Sequence, residues 1–393
     1  MLAIINARIY PMTSQVIENG MIIIEDGKIK EIGENLDLPD GIQTIDAKGQ
    51  MLSPGLVDPH SHLGIGEEGI GWEGVDYNEM SDPVTPHMRA IDGIYPGDLG
   101  FVQARQGGVT SVVTGPGSAN AIGGSFVALK TYGNRVENMV IRNPIAMKMA
   151  FGENIERVYG RDKSSAPYTR MGIVALIREQ LYKTLEYIER QECGDPNKWP
   201  AFDIKCETLI PVIKGELIVK AHAHRADDIF SAIRIAREFD LKMTLDHCTE
   251  GHLIAEELAG EAYGCICGPN LSNASKYEVK NRSFETPAEL MDKGVKFAIM
   301  TDNPVIPSAQ LPICAGLAHR SGLDEMEALK SITINAAEIT GIGDRVGSLE
   351  VGKDADIVIW TKNPIKDIDN EVDYTIIDGK IVYQRGHDEK IGF

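Results

Sequence analysis

Short apolar runs alternate with amphipathic helical segments through the middle of the chain, and this alternation restricts the fold more than any other feature. A repeat of buried strand and helix is typical of a parallel sheet. An eighth strand is expected between residues 122 and 142, and eight such strands close into an α/β fold, the (β/α)₈ TIM barrel. The other predicted strands lie at residues 55–62, 110–115, 145–152, 217–224, 242–250, 263–269 and 295–302.

Helices are predicted where apolar residues recur at helical spacing. Residues 227–239 and 323–341 follow this pattern and predict two helices of the barrel. Residues 171–191 and 200–216 predict a helical insertion before the next strand.

Both ends of the chain follow a different pattern, in which apolar and polar residues alternate over short runs. Such runs predict strands joined by tight turns, and two β segments of similar style are expected to pair into one small sheet. We therefore divide the chain into a barrel at residues 55–345 and a sheet domain built from residues 1–54 and 346–393. The predicted turns are Asn19-Gly20, Asp26-Gly27 and Asp378-Gly379.

The charge of the chain excludes some classes of partner. It carries 39 basic and 58 acidic residues, a formal net charge of −19. Such a surface repels phosphate backbones and anionic lipid, so we expect no nucleic-acid partner and no membrane partner. The N-terminal residues lack the pattern of a signal peptide, and no apolar run has the length of a membrane helix. The six cysteines show no paired spacing, which favours reduced thiols in a cytoplasmic protein.

Histidines collect where the predicted strands end. The carboxyl ends of barrel strands face one mouth, so side chains far apart in the sequence are expected to meet there. Residues two apart on a strand point to the same side, so both imidazoles of "HSH" can reach one ion. The side chains at these strand ends are His60, His62, His222, His224, His247 and Asp302.

These side chains together predict a divalent metal site, although one histidine pair alone would more often be hydrogen-bonded or solvated. Imidazole and carboxylate bind zinc, and also iron, manganese, cobalt or nickel. Such an ion lowers the pKa of bound water and polarises a carbonyl oxygen. A nearby carboxylate can move the proton of that water to a leaving nitrogen, and Asp302 is placed for this step.

The chain resembles the amidohydrolase superfamily of metal-dependent hydrolases, and within it the imidazolonepropionase-related group. The resemblance covers essentially the whole chain and implies a (β/α)₈ barrel with a β-sandwich composed of both termini. The segments that carry it are "LSPGLVDPHSHLG", "VKAHAHRADDI", "TLDHCTEGH", "AIMTDNPV" and "TINAAEITGIGDRVGSLEVGKDADIVIW".

The resemblance also implies residue roles. His60 and His62 match the first pair of ligands, and His222 and His247 match the ligands on the fifth and sixth strands. Asp302 matches the aspartate of the final strand, and Asp302 and His247 are the expected catalytic residues. His224 is then expected to support the ligands or to contact the substrate.

One ligand position stays open, and with it the number of ions. Two-metal relatives carry a lysine on the fourth strand that CO₂ carboxylates, and Lys148 lies on a suitable strand. Some one-metal relatives use a glutamate nearby, and Glu153 is its counterpart. A buried lysine beside cations is driven to the neutral form that CO₂ attacks, whereas a glutamate needs no modification.

Substrate contacts are predicted from charge and position. Arg225 directly follows the "AHAH" strand, and Arg161 and Arg170 lie in a basic loop, where an arginine fork could hold a carboxylate. The long loop at residues 63–98 is either a lid over the mouth or a packed surface loop. Residues 115–124 are rich in glycine but lack phosphate-loop spacing, which favours a cluster of turns.

The sequence therefore predicts a hydrolase of a carbon–nitrogen bond in a small-molecule substrate, either a linear or a cyclic amide. It also predicts one or two divalent ions, with zinc as the expected metal and iron, manganese, cobalt or nickel as alternatives. Alternatives on the same site are a dipeptidase or prolidase-like activity, a deaminase or a phosphoesterase, since a fold does not fix a substrate. A non-catalytic scaffold is disfavoured because the ligand set is complete. Assembly into a homo-oligomer is an expectation by analogy with relatives.

Overall fold

The computed structural model describes residues 1–387 and organises them into two eight-stranded sheets. The strands are β1 (Leu2–Ile9), β2 (Ile17–Glu25), β3 (Lys28–Gly33), β4 (Gln43–Asp46), β5 (Met51–Pro54), β6 (Leu56–Ser61), β7 (Val109–Thr114), β8 (Ile122–Lys130), β9 (Val140–Ala150), β10 (Ile218–Ala223), β11 (Met243–His247), β12 (Gly264–Cys267), β13 (Phe297–Ile299), β14 (Ile357–Trp360), β15 (Val372–Ile377) and β16 (Lys380–Gln384).

Most of the helices lie between or after the barrel strands. They are α1 (Leu99–Gln106), α2 (Glu153–Ile155), α3 (Arg170–Glu192), α4 (Ile204–Ile213), α5 (Ala226–Phe239), α6 (Ala255–Ala259), α7 (Thr286–Asp292), α8 (Leu311–Arg320), α9 (Glu325–Ser331) and α10 (Ile334–Ile339). A π-helix, Glu156–Asp162, directly follows α2. Short 3₁₀ turns occur at Gly71–Gly74, Ala90–Asp92, Val136–Asn138, Pro196–Lys198, Gly251–Leu253, Tyr277–Val279 and Ser308–Gln310.

The predicted eight-stranded barrel is confirmed. Strands β6 to β13 pair in chain order, and almost every side chain on them is buried, because helices cover the outside and side chains fill the inside. The first and last strands are joined just beyond their ends. There the Asp302 amide donates to the His60 carbonyl over 3.2 Å, and the His62 amide donates to the Asn303 carbonyl over 2.7 Å.

The barrel is not parallel throughout, which corrects the prediction of uniform βα units. The hidden eighth strand is β8, and it runs antiparallel to both β7 and β9. Only residues 115–121 link β7 to β8, and they contain no helix. A connection this short can reverse the chain but cannot cross over to a parallel neighbour, which needs a dozen or more residues.

The helix predictions hold with one exception. Strand β10 is preceded by the predicted insertion, α3 and α4, and followed by α5, which buries its apolar face against the barrel. The helix predicted over 323–341 is instead two helices, α9 and α10. Thr333 separates them with φ −135° and ψ −101°, and its hydroxyl donates to the Leu329 carbonyl over 2.6 Å.

Strands from both termini form the second sheet, in the order β16-β15-β14-β5-β1-β2-β3 with β4 beside β1. The turns at Asp26-Gly27 and Asp378-Gly379 are confirmed, with positive φ at all four residues. The turn predicted at Asn19-Gly20 is wrong, because both residues lie inside β2.

A buried ion-pair cluster fastens the sheet domain to the barrel. Lys130, at the end of β8, lies 2.6 Å from Asp356, 2.9 Å from Asp354 and 3.3 Å from Asp378. All six cysteines are free thiols. Within residues 1–387, no helix combines the length and apolar character needed to cross a bilayer.

Candidate active site

Side chains from the ends of four barrel strands, β6, β10, β11 and β13, converge at the carboxyl-end mouth and form two groups of potential metal ligands. One group is His60, His62 and Asp302. The other is His222, His224 and His247. Within each group every ligand atom lies within 4.8 Å of the others. All the strand-end residues singled out from the sequence are therefore brought together at one mouth.

The first group, which we call cluster A, comprises His60, His62 and Asp302. The Asp302 Oδ1 lies 3.3 Å from His62 Nε2 and 3.8 Å from His60 Nε2. The opposite ring nitrogens are held from behind, His60 Nδ1 by Asp246 over 2.5 Å and His62 Nδ1 by the Gly115 carbonyl over 2.6 Å. With Nδ1 donating to these oxygens, the lone pair of each Nε2 faces the mouth.

The second group, cluster B, comprises His222, His224 and His247. Thr249 holds His224 Nδ1 over 2.7 Å, and the Gly268 carbonyl holds His247 Nδ1 over 2.9 Å. The Nε2 atoms of all three rings are buried and have no hydrogen-bond partner among the described residues. Burial, the largest cause, lowers the pKa of each imidazole well below its usual value, and neutral imidazole is the form that binds metal.

Both clusters fit a divalent ion. Buried polar nitrogens without partners are rare in folded proteins, because each costs about 1–3 kcal/mol. Four ligands at about 2.1 Å from zinc would lie about 3.4 Å from one another. The donor separations of 3.3 and 3.8 Å in cluster A match that spacing.

Lys148 lies between the strands of the two clusters. It is 1% exposed, and its Nζ lies 3.3 Å from His60 Nε2. Burial lowers the pKa of Lys148 to about 8 against the opposing attraction of Asp246. Its register neighbour Lys220 is also buried but lies 2.9 Å from Asp246, so that lysine has a carboxylate partner. Phe126 packs under both ammonium groups, 5.6 Å from each.

Glu153 lies away from both clusters. Its carboxylate accepts from the Glu278 amide over 2.9 Å, and its own amide donates to Glu278 Oε2 over 3.0 Å. Glu278 is the acidic residue that reaches the histidines, with Oε1 3.6 Å from His222 Nε2 and 3.5 Å from His224 Nε2. No sequence pattern pointed to Glu278, because it lies in a short 3₁₀ turn, Tyr277–Val279, far from any strand end.

Backbone strain coincides with the site. His247 has φ +77° and Asp302 has φ +57°, a backbone region that residues other than glycine seldom occupy. Such strain persists where the surroundings hold a residue in a required position. Burial acts to raise the pKa of Asp302, but the neighbouring His62 and His247 rings and the Lys148 ammonium outweigh it and lower the pKa.

A cavity of about 330 Å³ opens above the clusters, and the 63–98 loop covers one side of it. The Tyr77 ring stacks on His62 with centroids 5.0 Å apart, and Asn78 lines the cavity. The glycine-rich 115–124 segment contributes Gly117, where a Cβ would lie 2.6 Å from Asn78 Oδ1. Trp72 of the same loop is 86% exposed and does not line this cavity.

The predicted arginines gather around an adjoining cavity of about 440 Å³ and not around the histidines. Arg161, Arg170 and Arg225 line this cavity together with Glu153. Arg157, on the π-helix, lines both cavities and was missed from the sequence.

Two of these arginines already have acidic partners. Arg170 lies 2.8 Å from Asp228, and Arg225 lies 2.8 Å from Asp227. Their role in binding substrate stays a prediction.

Family descriptions match both parts of the chain. The amidohydrolase family matches residues 214–382, and the NagA composite domain matches residues 1–52. The amidohydrolase of Thermotoga maritima MSB8, a solved structure, is 40% identical with a TM-score of 0.94, covering 98% of this chain and 100% of its own.

Two curated relatives agree with this assignment. The imidazolonepropionase of Cupriavidus taiwanensis is 28% identical over 88% of this chain and 85% of its own. The amidohydrolase tasK of Hapsidospora irregularis is 30% identical over 88% of this chain, which spans only 38% of the length of that relative. The chain therefore belongs to the amidohydrolase superfamily of hydrolases, within its imidazolonepropionase-related group.

Proposed function

We propose that the protein is a metal-dependent hydrolase of a carbon–nitrogen bond, linear or cyclic amide, in a small molecule. The observation that carries the proposal is the pair of ligand clusters at one mouth, with buried imidazole nitrogens that lack partners within the described chain. His60, His62 and Asp302 would hold one ion, and His222 and His247 another. Zinc suits these ligands best, with iron, manganese, cobalt and nickel as alternatives.

A bound divalent ion supplies two things here: a lowered pKa for water and polarisation of the substrate carbonyl. The lowered pKa of Asp302 keeps its carboxylate ionised and able to accept a proton. Asp302 then returns this proton to the departing nitrogen, as base first and acid second. Asp302 Oδ1 lies 3.3 Å from His62 Nε2 and 3.8 Å from His60 Nε2, so the three groups would hold the same ion.

Lys148 is the better candidate for a bridging ligand than Glu153. Its amine has a lowered pKa, no acidic side chain within 4 Å among the described residues, and direct contact with His60. The neutral amine forms an N–C bond with CO₂ and loses a proton, which gives an anionic carbamate. Glu153 instead uses its carboxylate to hold the Glu278 amide. This favours two ions over one.

The substrate is proposed to be small and to carry a carboxylate. A cavity of about 330 Å³ excludes a folded protein as substrate. Three basic residues, Lys148, Arg157 and Lys276, and one acidic residue, Asp302, line this cavity in a chain whose net charge is −19. A cationic wall in an acidic protein favours an anionic group on the ligand.

The test combines metal content with hydrolysis of a panel of carboxylate-bearing linear and cyclic amides. We expect purified protein to contain up to two divalent ions per chain, and chelation to abolish hydrolysis until zinc is restored. Carboxylate-free analogues serve as controls and should be poor substrates. Hydrolysis that persists in metal-free protein would refute the proposal.

A further inference from the structure

Cluster B contains more ligands than the resemblance assigns to an ion at this position. The resemblance accounts for His222 and His247. The structure adds His224, whose Nε2 has no partner among the described residues, and Glu278, which is fully buried. Three imidazoles and one carboxylate thus converge from β10, β11 and the loop before α7.

The Glu278 carboxylate is fixed so that one oxygen faces the imidazoles. Its Oε2 accepts from the Glu153 amide over 3.0 Å, which leaves Oε1 directed at His222 and His224. The return bond from the Glu278 amide to Glu153 pins the loop at the same place. The orientation of Glu278 is therefore set by a reciprocal pair of hydrogen bonds.

Two separations in this set, both from Glu278, match the edge of a tetrahedral ion site. Glu278 Oε1 lies 3.6 Å from His222 Nε2 and 3.5 Å from His224 Nε2. The edge of a zinc tetrahedron with bonds of about 2.1 Å is about 3.4 Å. With Nδ1 of His224 donating to Thr249, its Nε2 has no proton to donate to the carboxylate, so this approach is unfavourable without a cation.

A cation of the chain already lies at this carboxylate. The Lys276 ammonium forms an ion pair with Glu278 Oε1 and donates to Asn154 Oδ1 over 3.3 Å. The Lys276 side chain is partly exposed at the cavity, so it can leave Glu278 without crossing the core.

We propose that Glu278 and His224 complete, with His222 and His247, the ligand set of a separate divalent ion, and that the Lys276 ammonium competes with this ion for Glu278. The inference rests on the proposed metal-dependent function and deepens it. Three neutral imidazoles and one carboxylate lower the net charge of the loaded site to +1 before any share of a Lys148 carbamate is counted, which is less costly to bury than a bare dication. Binding of the ion frees Lys276 to face the substrate cavity.

The test measures Zn²⁺ and Co²⁺ binding to chelator-stripped, full-length protein by competition with a chromophoric chelator, together with the Co²⁺ visible spectrum. Glu278→Gln should weaken one ion by more than about 100-fold, beyond the ~10–100-fold typical of residues that only support ligands. The other ion should bind unchanged. Lys276→Met, made alone, should increase the affinity for the ion that Glu278→Gln weakens. The ammonium that competes with this ion for Glu278 is then gone.

A matched control is Glu250→Gln. Glu250 is also a buried glutamate, but its carboxylate accepts from the Ala226 amide over 2.9 Å and from Asn281 over 2.7 Å. This control should bind both ions as the parent does. Should Glu278→Gln fail to fold by circular dichroism, His224→Gln tests the same ion.

The outcomes separate the two proposals. Parent protein that binds no ion overturns both the proposed function and this inference. Parent protein whose ions all bind equally well after Glu278→Gln or His224→Gln overturns the inference alone. Loss of one ion in these variants, with an altered Co²⁺ spectrum for that ion only, supports it.

Discussion

The Nδ1 of His60 lies 2.5 Å from Oδ2 of Asp246, a residue 186 positions later in the chain. Asp246 also accepts from Thr244 over 2.6 Å and pairs with the Lys220 ammonium at 2.9 Å. All of these groups are buried. The carboxylate therefore fixes the tautomer and the orientation of a proposed ligand from behind, an arrangement that raises the basicity of the ligand.

Replacing Asp246 with Asn should lower the affinity of the His60 ion by about 10–100-fold, because an amide no longer enforces a proton on Nδ1. Metal titration of the folded variant measures this. Thr244→Val is the control, since it removes one hydrogen bond to Asp246 and leaves the carboxylate in place. Equal affinity in parent and Asp246→Asn would show that the pair is only structural.

Asp302→Asn should reduce turnover by at least about 10²-fold, because the amide cannot accept the proton. Much of the metal should remain, since the amide oxygen and the two neighbouring imidazoles persist. The check is kcat together with metal content on the same preparation. An active Asp302→Asn enzyme would assign the proton transfer to another residue.

Lys148 should react with CO₂ more readily as the pH rises. Its pKa of about 8 leaves roughly one tenth of the amine neutral at pH 7 and about nine tenths at pH 9. The neutral form is the reactive one, so at a fixed concentration of dissolved CO₂ loading should be faster at pH 9. A carbamate signal in ¹³C NMR with labelled bicarbonate reports it, and Lys148→Ala is the blank.

Lys148→Ala should also lose activity, and a small carboxylic acid such as acetate should restore part of it by replacing the carbamate. Glu153→Gln is the matched comparison, because Glu153 lies outside the clusters. Greater loss in Glu153→Gln than in Lys148→Ala would reverse the preference for Lys148.

The buried ammonium of Lys130 should contribute strongly to stability. Lys130→Met leaves Asp354 and Asp356 buried without their shared cation, and breaking such a pair costs about 3–5 kcal/mol. Lys28→Met is the control, since Lys28 pairs with the same Asp354 from an exposed position and should cost under about 1 kcal/mol. Urea denaturation measures both.

The pH dependence of this effect follows from the pKa of Lys130. Burial acts to lower that pKa, but Asp356, Asp378 and Asp354 outweigh burial and raise it above its usual value. A group whose pKa is raised in the folded state contributes its full stabilisation at pH values below its unfolded pKa of about 10.4. This contribution is lost as the pH rises through the folded pKa. The stability difference between parent and Lys130→Met should therefore stay constant from pH 6 to 9 and shrink only in strong alkali.

The sequence predicted the structural features that repeat along the barrel. It missed the features that depend on contacts between distant loops. Strand ends in chain order were sufficient to assemble His60, His62, His222, His247 and Asp302, because parallel strands share one mouth. The reversal of β8 was missed because the apolar run itself carries no direction.

The other errors have a similar cause. Glu278 is oriented toward the histidines by its bonds with Glu153, and no local pattern encodes a contact between residues 125 positions apart. The basic residues suggested a loop, whereas the chain forms a π-helix there. This difference is why Arg157 was missed. Local periodicity also continued across Thr333, where the backbone leaves the helical region and the Ile332 carbonyl accepts from the Val57 amide over 2.9 Å.

Substrate recognition should depend on Arg157 more than on the arginines chosen from the sequence. Arg157 lines the cavity above the histidines, whereas Arg161 lines only the adjoining cavity. Arg157→Met should raise KM for a carboxylate-bearing amide by at least about 10-fold, since a lost charge-assisted hydrogen bond is worth about 1.5–3 kcal/mol. Arg161→Met keeps the same change of charge and should leave KM close to the parent value. A carboxylate-free amide should show no difference between the two variants, because the arginine then has no anion to bind. Equal KM values for the carboxylate substrate in both variants would remove Arg157 from the binding site and return the choice to Arg225 and Arg170.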